Sequence, residues 1–209
     1  CSSVLVPNYT FLKNYFDVGR FKIIKKIKLK SETIDNYFKN TKLDFIKLDT
    51  EGYEKQILLG GEKKLNHVLG VEIECALQKI REKQCSFEEI KTYLEKKNFI
   101  FVDFLNVTRW QKIPNKFFGI PVISDCLFIK DPKIVINSKR NLEQLKKLII
   151  ILLVYSRYDL LEDISDKIDK NLKDEIDFYK ISSILRKKYK IFEKIGYLNY
   201  LTKKILDNR

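Results

Sequence analysis

Phe45, Ile46 and Leu48 make a short apolar run that halts at Asp49, and Gly52 stands just before Tyr53 and Glu54. A run of this length, closed by an acid and a glycine, reads as a buried strand that turns tightly into a helix from about Tyr53 onward. The junction gathers Asp49, Glu51 and Glu54 where a strand's carboxyl end meets a helix's amino end. In an open α/β sheet that crevice is where ligands bind. The helix macrodipole alone favours acids in a first turn, by about 0.3–1 kcal/mol each, and that suffices to place Glu51 and Glu54 there. Asp49 ends the strand instead, so the macrodipole does not account for it.

The same alternation of periods continues on both sides. Part of residues 21–29 is expected as a strand, and residues 31–40 as a short helix with Ile34, Tyr37 and Phe38 on one face. After the central turn, a helix runs to Leu59, breaks at Gly60 and Gly61, and resumes over residues 62–65; residues 68–75 read as a second buried strand. Ser86 and Glu89 have the spacing of a capping box, with Cys85 and Ile90 placed as its staple, and the helix they open ends near Asn98. Residues 99–105 form a strand, 109–121 a long basic-aromatic loop, and 124–130 a last strand closed by Pro132. Strands alternating with helices imply a mostly parallel sheet. The last strand is reached without a crossover helix, so it must run antiparallel to its predecessor. The expected class is therefore α/β, a mostly parallel sheet ending in an antiparallel hairpin, over residues 1–132.

Residues 140–209 differ in character. From 141 to 206 there is no proline and a single glycine, Gly196. Leu142, Leu145, Leu148 and Ile149 share one helical stripe, as do Ile164, Ile168, Leu172 and Ile176. A helical appendage is expected there.

Composition excludes a disordered chain, since 44% of residues are hydrophobic and 12% aromatic. The formal charge of +13, from 41 Lys+Arg against 28 Asp+Glu, draws the chain toward polyanions. Lysines alternating with Ile, Leu and Glu suit a solvated face, so specific nucleic-acid binding is not expected, while peripheral contact with an anionic membrane is left open. Cys1, Cys75, Cys85 and Cys126 show no CxxC spacing and sit in apolar surroundings, which points to reduced, buried thiols, no metal site and a cytoplasmic protein. The longest apolar run, residues 148–155, falls far short of the ~20 residues that span a bilayer. With no methionine and Cys1 in first place, the chain is expected to be a piece of a longer one.

The segment Cys1-Ser2-Ser3-Val4-Leu5-Val6-Pro7-Asn8, residues 44–54, Ile57-Leu58-Leu59-Gly60-Gly61, Glu72 within Val71-Glu72-Ile73, and Asp125 together resemble the FkbM family of S-adenosylmethionine-dependent methyltransferases, over roughly residues 1–130. The resemblance implies the back half of a Rossmann-like class I methyltransferase fold. It also implies an O-methyltransferase, with S-adenosylmethionine as cofactor and a hydroxyl of a glycan or other secondary metabolite as acceptor. Asp49 then lies near the cofactor's amino-acid end. The family's glycine-rich first strand and turn, and the acid that holds the ribose, have no counterpart here. The 209 residues alone are therefore expected to bind the cofactor weakly or not at all.

Methyl transfer from a sulfonium needs the acceptor oxygen aligned and its proton removed. His67, the one histidine, lies in a polar turn, so carboxylates must supply the base, and Asp49 and Glu51 are the candidates. Strand alternation sets Lys47 on the face of Asp49, and Glu72 on that of Glu74. If the two strands are neighbours, Lys47 and Glu72 form a partly buried ion pair, or Glu72 lines the substrate pocket. Arg109, Trp110 and Lys112 offer a substrate rim, a Trp for a sugar face and an Arg for an anion, unless Trp110 simply packs under its loop. Tyr53 either covers the site or anchors its helix. A competing reading is a non-catalytic scaffold whose basic helical tail binds a partner protein or an anionic membrane. Base methylation of nucleic acid is disfavoured, because an Asn/Asp-Pro-Pro-Tyr motif is absent.

Overall fold

The computed structural model describes residues 2–113, 118–137 and 142–177, with residues 181 and 183. Cys1, residues 114–117 of the expected loop, and residues 140–141, 178–180, 182 and 184–209 of the expected tail lie outside the described residues. The chain divides into two compact units, Cys1–Val135 and Ile136–Arg209.

In the first unit the apolar runs become a four-stranded sheet: β1 (Phe45–Leu48), β2 (Gly70–Ala76), β3 (Phe99–Trp110) and β4 (Ile120–Lys130), in the order β1-β2-β4-β3. β1 and β2 are parallel, and β4 is antiparallel to both its neighbours, β2 and β3. The hairpin expected at the end of the sheet is present, but its second strand folds inward. The sheet is consequently mixed: β1, β2 and β3 share a direction while only one of the pairings described is parallel, against the mostly parallel sheet expected. The physical reason is burial. Cys126, Leu127, Phe128 and Ile129 of β4 are all fully buried, which an edge position would not allow.

Helices α1 (Tyr9–Leu12), α2 (Ile34–Tyr37), α3 (Glu54–Leu59), α4 (Glu62–Leu65) and α5 (Phe87–Glu95) complete this unit, with a 3₁₀ turn at Val18–Phe21. The Ser86 hydroxyl accepts the Glu89 N–H at 3.2 Å and the Glu89 carboxylate accepts the Ser86 N–H at 3.0 Å, so the capping box forms as spaced. Cys85 and Ile90 are buried in one core with Ile46, Leu48, Val71, Ile73 and Phe128. Phe87 packs on Phe101, Phe104 and Phe128, with ring centroids 5.2, 5.2 and 6.4 Å away. Cys75, Cys85 and Cys126 are reduced and buried. A second cluster, of Leu12, Phe21, Ile80 and Val122, forms around Ala76, which ends β2, and Trp110, which ends β3. Residues 6–8 are strapped beside it, with Asn8 N–H bonded to Ile80 O at 2.9 Å and Glu82 N–H to Val6 O at 2.8 Å.

Two expectations are corrected. Residues 22–30 form no strand and are exposed throughout. Lys22, Lys25, Lys26, Lys28 and Lys30 stand among the apolar residues, so burying the segment would take ammonium groups out of water. The loop expected over residues 109–121 is shorter, since β3 continues to Trp110 and β4 starts at Ile120. Register shifts between Phe101 and Asp103, Phe104 and Asn106, and Thr108 and Arg109 bend the pair and let it extend past the point where the alternation breaks.

Pro132 both closes β4 and opens α6 (Pro132–Asn137), at the helix position where a missing N–H costs nothing. In the second unit, Leu145, Leu148, Ile149 and Leu152 are the buried face of α7 (Leu142–Val154), and Leu161 and Ile164 that of α8 (Tyr158–Lys167). The second expected stripe is broken: α8 stops at Lys167, and the Asp169 carboxylate caps α9 (Lys170–Glu175) by accepting Leu172 N–H at 2.8 Å. Among the described residues no helix is long and apolar enough to cross a membrane.

Candidate active site

Glu51 and Gly52 both take left-handed backbone conformations, φ 60° and 104°, and this reverses the chain between β1 and α3. A Cβ on Gly52 would stand 3.0 Å from Gln84 Cβ and 3.1 Å from Leu5 Cδ1, so glycine is required on steric as well as torsional grounds. Glu54, only 1% exposed, holds the turn shut: its Oε1 accepts Thr50 N–H at 2.9 Å, Thr50 O–H at 2.9 Å and Gly52 N–H at 3.1 Å. Glu54 is thus occupied by its own turn.

Glu51 is occupied differently. Its Oε2 lies 2.5 Å from Nη2 of Arg81, a side chain 3% exposed, and its backbone carbonyl accepts the Ser3 hydroxyl at 3.0 Å. The Arg81 guanidinium carbon in turn lies 5.7 Å from the centre of the Phe21 ring.

Asp49 is exposed at the end of β1. The register pairs Lys47 with Glu72 and Leu48 with Ile73, so the next residues out are Asp49 and Glu74; Glu74 in turn pairs with Asp125 of β4. Residues opposed in this way point to one face, which makes Asp49, Glu74 and Asp125 a row of three carboxylates across the sheet. Burial, and then the charges of Asp49, Glu51, Glu54 and Asp125, push the Glu74 carboxyl up to about 7. Sequence reasoning did not pick Glu74 as a site residue. The signal was the alternation that set Glu72 and Glu74 on one face; what it lacked was the register carrying Asp49 and Asp125 alongside.

Lys47 Nζ and Glu72 Oε1 form the ion pair suggested by the sequence. The hydrogen bond and charge of Glu72 raise the Lys47 ammonium above its ordinary value. The pair is partly buried, as expected, with the burial all on one side: the Glu72 side chain is 13% exposed and the Lys47 side chain 58%. β1 is an edge strand of the described sheet, and an edge leaves the ammonium in water.

Tyr53 sits half-buried in the N-cap position of α3. Trp110 is half-buried, its ring 5.7 Å from Tyr15 and 5.5 Å from Phe21, with the Arg20 guanidinium 4.6 Å over its face. Together with Asp17 and Arg109 these residues line a cavity of about 300 Å³. Arg109 is exposed and donates to Gly119 O at 3.3 Å. Trp110 therefore packs against Tyr15 and Phe21 of the N-terminal segment and also walls the cavity. The candidates fall into two neighbourhoods, the acidic row with Glu51, Tyr53 and Glu72, and the aromatic cavity with Arg109 and Trp110. Phe21 and Arg81 link them in series: Phe21 meets Trp110 and Arg81, and Arg81 pairs with Glu51. His67 precedes β2, at the other end of the strand from Glu74. Hydrogen bonding to Cys126 and burial raise the Cys75 thiol far above its ordinary value, which leaves it protonated and inert.

No curated protein and no solved structure matches the chain. Residues 8–101, which include Asp49, Glu51, Tyr53, Glu72 and Glu74, match the family described as Methyltransferase FkbM domain.

Proposed function

We propose that this chain serves S-adenosylmethionine-dependent methyl transfer to oxygen, with a hydroxyl of a glycan or another secondary metabolite as acceptor and Glu74 as the group that takes its proton. The observation that carries the reading is Glu74, brought to about 7 inside a row of carboxylates at the carboxyl ends of β1 and β2. A base is most effective when its proton affinity lies near the working pH, and a positioned one contributes about 10²–10⁴-fold. Within this proposal the sheet is the back half of a Rossmann-like class I methyltransferase fold, supported by the parallel β1–β2 pair followed by an antiparallel hairpin.

When bound, the cofactor supplies an electrophilic methyl on a cationic sulfur. The exposed carboxylate of Asp49 fits the ammonium at the cofactor's amino-acid end. The described residues provide no glycine-rich cradle or ribose-holding acid, so Asp49 is the one contact we assign. Glu51, paired with Arg81, fixes the turn that aims Asp49, a positioning role. Glu72 and Tyr53 border the row and bound the acceptor. Arg109 and Trp110 form the outer rim, where an aromatic face suits a sugar ring and a guanidinium suits an anionic substituent. The unbridged thiols support a cytoplasmic setting.

The test, made in the whole protein that carries this chain, is transfer of a labelled methyl from S-adenosylmethionine to a panel of hydroxylated saccharides and metabolites. Glu74→Gln should lower turnover by about 10²–10⁴-fold and remove the inflection of the parent's rate near pH 7. Asp49→Ala should abolish turnover. Near-normal rates in either variant would strip that residue of its role.

A further inference from the structure

Residues 22–30, leading away from the 3₁₀ turn at Val18–Phe21, form neither helix nor strand. Five of these nine are lysines, and the others are the aliphatic Ile23, Ile24, Ile27 and Leu29. The aliphatic four are 40%, 94%, 64% and 79% exposed. No acid lies between Asp17 and Glu32, so the positive charge is not neutralised along the chain. A run of lysines alone is an ordinary solvated surface. Large aliphatic side chains left in water among them are not, because contiguous exposed apolar surface marks a place where something binds.

We propose that residues 22–30 dock on an anionic phospholipid surface, the aliphatic side chains entering the headgroup boundary and the ammonium groups lying against the lipid charges. Stable attachment of this kind takes two signals, apolar insertion and electrostatic attraction, and the segment carries both. Each lysine near an anionic leaflet is worth roughly fivefold in partition. Two other occupants fit less well. Single-stranded nucleic acid is held by stacking on aromatic rings, and residues 22–30 contain none. A second copy of the segment would bring like charges into opposition, which disfavours pairing.

The experiment is flotation of the 209-residue chain with vesicles of phosphatidylcholine alone and of phosphatidylcholine mixed with phosphatidylserine. The parent should float only with the anionic vesicles, and less at high salt. Lys26→Glu with Lys28→Glu should weaken binding by about tenfold or more. Ile24→Ser with Ile27→Ser, which keeps every charge, should weaken it by a similar factor. All four side chains are exposed, so circular dichroism should be unchanged in both variants. The proposal fails if the parent does not float, or if either variant binds like the parent. It fails equally if the parent binds a single-stranded oligonucleotide and the serine variant keeps that binding. A concentration-dependent dimer that the serine variant abolishes would assign the strip to a second copy instead.

Discussion

Asp49, Glu51 and Glu54 look alike in the sequence, three acids around one turn, yet each has a different employment. Glu54 satisfies Thr50 and Gly52, Glu51 neutralises Arg81, and Asp49 faces water. Replacing Glu54 with alanine leaves buried N–H groups unpaired and should destabilise the fold by about 2–4 kcal/mol in urea denaturation. The same change at Asp49 should alter stability by less than about 0.5 kcal/mol. A Glu54→Ala variant as stable as the parent would mean that the turn does not depend on that carboxylate. The macrodipole accounts for Glu51 and Glu54 without telling them apart, and leaves Asp49 unexplained. Ranking depends on which donors the turn aims inward, and on Arg81, thirty positions away in sequence from Glu51. Glu74 was missed for a related reason, since its environment is assembled from β1, β2 and β4 rather than from its own neighbours in the chain.

Among the elements, those specified by short-range chemistry were the legible ones. The α5 capping box is local, and it formed as spaced; Lys55, 2.7 Å from Glu89 Oε1, adds an ion pair to it. Ser86→Ala should cost about 1 kcal/mol, read as a lower urea midpoint with an unchanged slope. A change in slope would signal loss of more than a cap. β1 and β2 were also legible, being short apolar runs bounded by turn residues. The true length of β3 and β4 was not. Their far ends are held by cross-strand pairing of Arg109 with Pro121 and Trp110 with Ile120, and by Gly119, whose φ of 73° fits no ordinary side chain. A Cβ there would meet Trp110 O at 2.4 Å. For residues 22–30 the apolar and polar alternation looked strand-like, but a strand also needs an edge to pair with, and no sequence pattern supplies one.

For the molecule as a whole, the order of the strands was the least legible property. The hairpin followed from the missing crossover helix, whereas the place of β4 between β2 and β3 is a matter of long-range burial. The integrated charge response is now accessible. Folded Glu74 keeps its proton to about pH 7, while the ordinary value is 4.5. Its contribution is therefore complete below that ordinary value and is lost as pH rises through the folded value, by about 1–2 kcal/mol once solvent screening is allowed for. Lys130 acts at the other end of the scale. Its ammonium donates to Leu65 O at 3.1 Å and Lys97 O at 2.8 Å, and burial, then the charge of Lys97, lowers it to about 8 from 10.5. The unfolded lysine holds its proton longer than the folded one, so this group makes stability rise with pH between those two values. Urea midpoints measured across pH should show both limbs. Glu74→Gln should flatten the acid-side fall, and Lys130→Met the alkaline rise; a parent-like profile in either variant would assign that limb to other groups.

Arg81 has one guanidinium and two neighbourhoods to serve. Phe21 lines the aromatic cavity and its ring carries that guanidinium, so a molecule whose entry displaced the ring would shift the cation away from Glu51. Bare negative charge would then build up near Glu74, whose grip on its proton would tighten. Reciprocity requires the converse, that proton uptake by Glu74 changes the affinity of the cavity for that molecule. Filling a hollow and titrating a carboxyl group outside it thereby become two readings of one equilibrium.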